Sequence, residues 1–434
     1  MEKALLIFIK LKYPAELSKI GNFYNQSYKK NYKSDYFNEE VEELKNLVIS
    51  AGAEVSDVII HNQDEINPRF YISRGKLEEI KSYVSCNKYE LIVFDNDLTP
   101  AQQSNLENKL NIKVIDRTAL ILDIFAQRAR SSEGKYQVEL AQLNYLLPRL
   151  RGKGVQLSRL GGGIGTRGPG EQKLEIDRRK IRKRIAQLEN KIDKIAVQRE
   201  TQRKQRQQKN LFQASLVGYT NSGKSTLLNT ITKSQFLVKD MLFSTLDSTT
   251  RKIKIPEIDE ILISDTVGFI DKLPHQLVAA FKSTLEELKK ANLLILTVDI
   301  SSVNYEKHIK SVSSVLKEIK VEHKPTIIVF NKIDKLKEKE LYKFQLKFRD
   351  AVFISALKNI GLEQLYEKIK YFVDRNRIEV SLKIPYENKE MISYIFNNCK
   401  IVKKQYLEDS MFLIINANNE ILPKIKSYIY RTKQ

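Results

Sequence analysis

The chain has no tryptophan, and its only cysteines, Cys86 and Cys399, are far apart in sequence. That excludes a disulfide framework and a cysteine-rich zinc site, and it suits a reducing, cytoplasmic setting. The four histidines (His61, His275, His308, His323) show no ligand spacing. Each reads as a surface or packing residue. No apolar run reaches the ~18 residues that a membrane span needs, so no span is expected. The opening MEKALLIFIKLK is too short for a secretory leader and meets Lys10 at once, so it reads as a strand. Acid is in short supply: 74 Lys+Arg stand against 53 Asp+Glu, a net charge of +21. Such an excess favours a polyanionic partner, nucleic acid above all, over a merely solvated basic surface. Glycine is scarce too, with 16 in 434 residues, and eight of them fall between Arg151 and Gly170.

The length allows about three domains, and 42% hydrophobic residues can fill a sizeable core. Apolar runs at 4–11, SDVIIH, ELIVFD and IKVID alternate with the helical patterns NEEVEELKNLVISAG, GKLEEIKSYVS and TPAQQSNLENKL. This alternation predicts a small α/β domain over 1–134 with a largely parallel sheet. Leu140, Leu143, Leu147 and Leu150 then begin a heptad-like seam. Leu174, Ile181, Ile185, Leu188, Ile192 and Ile195 continue one after the glycine stretch. The expectation is an antiparallel helical hairpin over 135–210, with helices at about 135–150 and 171–208 and a glycine-rich tip loop at 151–170. Residues 149–210 hold thirteen of the twenty-one net positive charges.

The tip spells G-x-G-x-x-G at Gly163–Gly168. A dinucleotide fingerprint must follow a strand and open a helix within a βαβ unit. This one joins two heptad helices and is followed at once by Pro169, so that reading is rejected. Glycines beside Arg159 and Arg167 at the end of a basic hairpin suit a loop that enters crowded nucleic acid; the alternative is a plain connector.

The stronger phosphate signal lies at LFQASLVGYTNSGKSTLLN. An apolar strand leads into Gly218-x-x-x-x-Gly223-Lys224-Ser225, and a helix follows. Backbone N–H groups from Tyr219, Thr220, Asn221 and Ser222 to Thr226, with the helix N-terminus, can cradle phosphates. Lys224 would neutralise the β- and γ-phosphates, and the Ser225 hydroxyl would bind Mg²⁺. A second strand ends in Asp265-Thr266-Val267-Gly268, whose aspartate reaches the Mg²⁺ shell through water and whose Gly268 N–H touches the γ-phosphate. Between them, LFSTLDSTTR offers Thr245, Thr249 and Thr250 as the threonine that closes over Mg²⁺. Asn331-Lys332-Ile333-Asp334 follows a further strand, and the Asp334 carboxylate can accept from guanine N1–H and the 2-amino group. Ser355-Ala356-Leu357 can present backbone to guanine O6. GTP and GDP are the expected ligands.

With the segments GGGIGTRGPGEQKLE and YISRGKLEEI, these motifs make the whole chain similar to the HflX family of ribosome-associated GTPases. The resemblance implies that Phe243, Ser244, Thr245, Leu246 and Asp247 form the first switch, with Thr245 as a Mg²⁺ ligand beside Ser225. It also implies binding to the large ribosomal subunit with the hairpin tip near the peptidyl transferase centre, and ribosome splitting under stress. Ser248 and Gln172 depart from the family's usual proline and glutamate.

The fold class expected is α/β: a P-loop GTPase domain (211–378) preceded by the small α/β domain and the basic hairpin. A small α+β domain (379–434) follows. Lys224, Thr245 and Gly268 are the expected catalytic groups of a monomeric enzyme. Asn221 stands where potassium-activated GTPases hold K⁺, or else simply caps the loop. Phe269 replaces the glutamine that often orients the attacking water, or else packs on the sheet while another group completes the site. A GTPase of RNA maturation or modification, and a GTP-gated RNA-binding scaffold, are the rival functions.

Overall fold

The computed structural model describes residues 2–11, 34–150, 169–207, 211–232, 242–243, 249–255, 260–271, 287–375, 377–418 and 421–430. Most of the glycine-rich tip (151–168), and residues 244–247 of the expected first switch with Ser248 after them, lie outside them.

The first strand, β1 (Lys3–Leu11), is buried on both faces. Leu5 and Ile7 enter one apolar cluster and Leu6 and Phe8 another. A strand covered on both sides belongs inside a parallel sheet. With β2 (Glu54–Gln63), β3 (Leu91–Phe94) and β4 (Lys113–Asp116) it forms a parallel sheet in the order β2-β1-β3-β4. Helices α1 (Ser34–Ser50), α2 (Arg74–Cys86) and α3 (Pro100–Leu110) alternate with the strands. A capping box of Thr99 and Gln102, with Pro100 in the first turn, starts α3. Asp116 ends β4 and caps α4 (Arg117–Arg128) by accepting Ala119 N–H at 2.8 Å. No expected element covers α4, although it has two faces: Leu120, Ile121, Leu122, Ile124 and Phe125 are buried while Asp123, Ala126 and Gln127 are exposed. It follows β4 directly, with no turn residue between them to mark a new element.

Helix α5 (Ser132–Arg149) begins three residues earlier than its leucine seam suggests, because the Ser131 hydroxyl accepts Gly134 N–H at 2.9 Å. One face buries Val138, Ala141 and Tyr145 against the amino-terminal unit. The other meets the long α6 (Pro169–Gln207) in antiparallel fashion. Arg184 grips Glu139 with two bonds of 2.7 and 2.9 Å, and Lys191 lies over the Tyr136 ring. Its 39 residues extend about 58 Å. Among its described side chains only Leu188 is fully buried; Ile181, Ile185, Ile192 and Ile195 are half-buried, and Arg179, Lys180, Arg182, Lys183, Lys191 and Lys194 are exposed.

The second sheet holds β5 (Gln213–Gly218), β6 (Thr249–Ile253), β7 (Ile261–Asp265), β8 (Leu293–Asp299), β9 (Thr326–Asn331) and β10 (Val352–Phe353). Their order is β10-β9-β8-β5-β7-β6, parallel except for β6. Described helices here are α7 (Lys224–Thr232), α8 (Tyr305–Glu318), α9 (Glu338–Lys347) and α10 (Leu362–Arg375). One apolar cluster is common to both sheets, joining Val41, Leu44 and Phe125 to Val217, Phe243 and Phe269.

The last unit is antiparallel, in the order β11 (Arg377–Pro385), β13 (Ser410–Asn418), β12 (Lys400–Tyr406), with α11 (Lys389–Asn398) against it. Where the sequence suggests one helix over 419–430, the described residues form a single turn, α12 (Leu422–Ile425), and then a 3₁₀ turn. Pro423 stands at the start of that turn. No helix among the described residues is long and apolar enough to cross a membrane.

Candidate nucleotide site

Parallel sheets place their ligand sites beyond the carboxyl ends of the strands. Here β5 ends at Gly218, β7 at Asp265 and β9 at Asn331, and Ser355 follows β10, so the expected motifs meet at one edge. The loop between Gly218 and Lys224 needs its glycines. A Cβ on Gly223, where φ is +90°, would lie 2.1 Å from Asn331 Nδ2. A Cβ on Gly218 would strike the Thr297 carbonyl at 2.2 Å. Asn221 is exposed and has φ +57°, a left-handed conformation that asparagine tolerates better than most side chains. That gives it a local reason to be there.

Lys224 is buried and donates to the carbonyls of Gly218 (3.1 Å) and Tyr219 (2.8 Å). Burial pushes its ammonium down to about 8, so a phosphate arriving here would restore the charge. Thr220 Oγ1 and Ser222 Oγ are buried in the same loop with no hydrogen-bond partner among the described residues. At the head of α7 the Ser225 hydroxyl donates to Asp265 Oδ2 at 2.7 Å. A hydroxyl and a carboxylate side by side are hard oxygen donors of the kind Mg²⁺ takes, one or two at a time, beside phosphate. The site therefore fits that ion. Thr226 is half-buried in the same turn.

Thr266 is buried, and its hydroxyl donates to Leu216 O at 2.6 Å; Val267 is buried beside it. A Cβ on Gly268 would come within 3.1 Å of Lys224 Nζ, so this backbone lies against the phosphate loop. Phe269 is 2% exposed. Its N–H donates to Gly218 O (3.1 Å) and its carbonyl accepts Thr220 N–H (2.7 Å), which extends the sheet by one bridge. The side chain packs in the apolar cluster shared by the two sheets.

Asn331 ties three segments together. Its Nδ2 donates to Ser222 O at 2.9 Å and its Oδ1 accepts Ala356 N–H at 3.0 Å. Lys332 has φ +67° and pairs with Asp299 at 2.7 Å. Ile333 is half-buried. Asp334 Oδ1 accepts the Ser355 hydroxyl at 2.5 Å, and this bond holds the carboxyl below its usual range. Ser355 and Ala356 are buried, whereas the Leu357 side chain is exposed.

Of the first switch only Phe243 is described; Ser244, Thr245, Leu246 and Asp247 lie outside the described residues. Phe243 is buried edge-on against Phe125 of α4, with centroids 4.5 Å apart. Thr249 and Thr250 start β6, and Thr250 Oγ1 lies 3.0 Å from Ser264 Oγ.

The sequence gives no sign that the amino-terminal unit lies against this loop. Helix α1 faces it with Glu39, Glu40 and Glu43, across a cavity of about 170 Å³ that Asn221, Asp271 and Lys307 also line. The Tyr219 hydroxyl donates to Glu43 Oε2 at 2.6 Å. Its ring stacks on His308 at 3.9 Å, so His308 is a packing residue beneath the loop. Glu43 also pairs with the buried Arg117, which holds Asp95 at 2.8 Å.

Three family models match the chain: a GTP-binding GTPase N-terminal region (38–126), a GTP-binding GTPase middle region (128–206) and a 50S ribosome-binding GTPase (213–332). Among curated proteins, GTPase HflX of Caldanaerobacter subterraneus subsp. tengcongensis is 46% identical, over 90% of each chain. GTPase HflX of Escherichia coli K12 is 41% identical over 86% of this chain and 87% of its own. A solved GTP-binding protein of Sulfolobus solfataricus, in complex with GDP, is 27% identical. It covers 86% of this chain and 99% of its own, with a TM-score of 0.42.

Proposed function

This chain belongs to the HflX family of GTPases, and we propose that it couples GTP hydrolysis to association with the large ribosomal subunit. The observation that carries the proposal is the pairing of two parts. One is a phosphate loop tied through Asn331 to the proposed base-reading segments; the other is a long helix whose exposed described side chains include Arg179, Lys180, Arg182, Lys183, Lys191 and Lys194 against three acids. The first can sense which nucleotide is present. The second offers a polyanion a surface that salt would screen.

In this reading Lys224, with the backbone of Gly218–Thr226, holds the phosphates, and Asp334 with the Ser355–Leu357 backbone holds guanine. Ser225 would hold Mg²⁺, with Asp265 in its outer shell and Thr245 closing over it. Held there, Mg²⁺ would supply positive charge against the negative charge that develops on the transferred phosphate. The chain's own part is positioning: Lys224 balances charge, and Gly268 N–H meets the γ-phosphate. Asn221 is proposed to help hold K⁺ beside the phosphates. GTP turnover in matched K⁺ and Na⁺ buffers checks this, since equal rates would remove K⁺ from the site.

The hairpin tip is proposed to reach toward the peptidyl transferase centre, and ribosome splitting under stress is the proposed outcome. Sucrose-gradient sedimentation of ribosomes with the protein and a non-hydrolysable GTP analogue tests it. The full chain should comigrate with large subunits and raise their share over intact ribosomes. Deleting 161–168 should keep GTP turnover while splitting falls sharply. If the deletion splits ribosomes as well as the full chain, the tip has no such role.

A further inference from the structure

Tyr219 occupies the first variable position of Gly218-x-x-x-x-Gly223, where the nucleotide chemistry assigns the side chain no task. Yet its hydroxyl is held from two sides. It donates to Glu43 Oε2 of α1 at 2.6 Å and accepts Asp271 N–H at 2.8 Å. Asp271 lies three residues past Gly268. The ring is fixed by the His308 stack, at 3.9 Å and 16°, and burial holds that imidazole's pKa below its usual value. The backbone of Tyr219 meanwhile accepts Lys224 Nζ and bridges to Phe269. One residue therefore touches the phosphate lysine, the end of the second switch and the amino-terminal unit.

Asp271 is gripped a second time. Lys307 Nζ bonds its carboxylate at 2.8 Å and reaches Glu40 at 2.7 Å, and Asn304 N–H donates to Glu39 Oε2 at 3.0 Å. Glu39, Glu40 and Glu43 share one face of α1. Both routes out of Asp271 end on that face.

We propose that Tyr219 is a positioning residue for GTP hydrolysis: its hydroxyl, anchored by Glu43, pins Asp271 and so sets where Gly268 meets the γ-phosphate. The proposal rests on the assignment of Gly268 and Lys224 to the phosphates. The physical reason is that each added restraint narrows the placements open to the Gly268–Asp271 segment: the Phe269 bridge to Gly218 and Thr220 holds its middle, and the Tyr219 hydroxyl holds Asp271 beyond it. Placement lowers the barrier to transfer without tightening ground-state binding, because Lys224, the loop backbone and Asp334 bind the nucleotide independently of it.

The test uses the full chain and four proteins: wild type, Tyr219→Phe, Glu43→Gln and the double variant. Single-turnover GTP hydrolysis, GTP affinity and thermal midpoint are read on each. Phenylalanine keeps the ring, its volume and the stack, and glutamine keeps an oxygen acceptor. Tyr219→Phe should slow hydrolysis about tenfold with GTP affinity within about twofold. Glu43→Gln should slow it about threefold, and the double variant should match Tyr219→Phe, because Glu43 acts through the hydroxyl. The role is refuted if Tyr219→Phe hydrolyses at the wild-type rate, if affinity falls in step with rate, or if the two effects multiply. Lys224→Ala separates the two layers of the argument. Unchanged triphosphate affinity there would overturn the site assignment itself, whatever Tyr219 does.

Discussion

Asp334 shows how a single hydrogen bond would prepare a residue for the guanine-reading role proposed for it. The Ser355 hydroxyl donates to its carboxylate and lowers its pKa, so the charged, accepting form persists as the medium turns acid. A depressed carboxyl keeps its charge above its own lowered value and loses it only below. Preference for GTP over inosine triphosphate, which lacks the 2-amino group, should therefore stay level from pH 8 to pH 5 in competition titrations. Asp334→Asn should weaken GTP by about ten- to a hundredfold and favour xanthosine triphosphate, whose ring offers the complementary oxygen. Unchanged GTP affinity would take Asp334 out of the site. That Lys224, Ser225, Asp265, Asn331 and Asp334 converge at one sheet edge is legible because each belongs to a short pattern at a strand end. The contacts of Tyr219 and His308 are not. The Glu43 that bonds Tyr219 is 176 residues away, and no local spacing encodes a contact across that distance. The acids of α1 look in sequence like any solvated helix face.

At the level of elements, the heptad seam revealed the hairpin but not how unequally its helices are held. Helix α5 is buried on the face toward the amino-terminal unit, through Val138, Ala141 and Tyr145. Helix α6 leans on α5 along a half-buried seam, with Leu188 the fully buried point among its described residues. Leu188→Ala should cost about 2–5 kcal/mol locally. Amide exchange along α6 should rise while that of β5 and β9 stays unchanged. Equal acceleration in both places would mean that α6 is part of the main cooperative unit. Helix α4 goes unmarked in the sequence because it starts at Arg117, directly after β4 ends at Asp116, with no turn residue to separate the two. The first strand was readable because a short apolar run with little alternation is what a doubly covered parallel strand looks like.

For the whole molecule, Phe269 sets the expectation about rate. Its ring is packed away and carries no group that could orient water. A positioning group supplied in trans can be worth ~10³–10⁵ in phosphoryl transfer. The isolated chain should hydrolyse GTP slowly, and purified large subunits should accelerate single-turnover hydrolysis at least ~10-fold, which is ~1.4 kcal/mol off the barrier. Fast hydrolysis with no gain from the subunits would mean that the chain completes its own site.

The apolar cluster that joins the two sheets has a consequence for how the protein is made. Val41, Leu44, Phe125 and Tyr145 contribute one part of that cluster, and residues from Val217 to Phe353 contribute the other. Translation proceeds at about 5–20 residues per second, so the second part trails the first by roughly 10–40 s. Throughout that interval each nascent chain carries a half-built core open to its neighbours on the polysome. Slowing elongation between residues 150 and 350 should lengthen the exposure and lower the yield of native protein, even though no residue has changed.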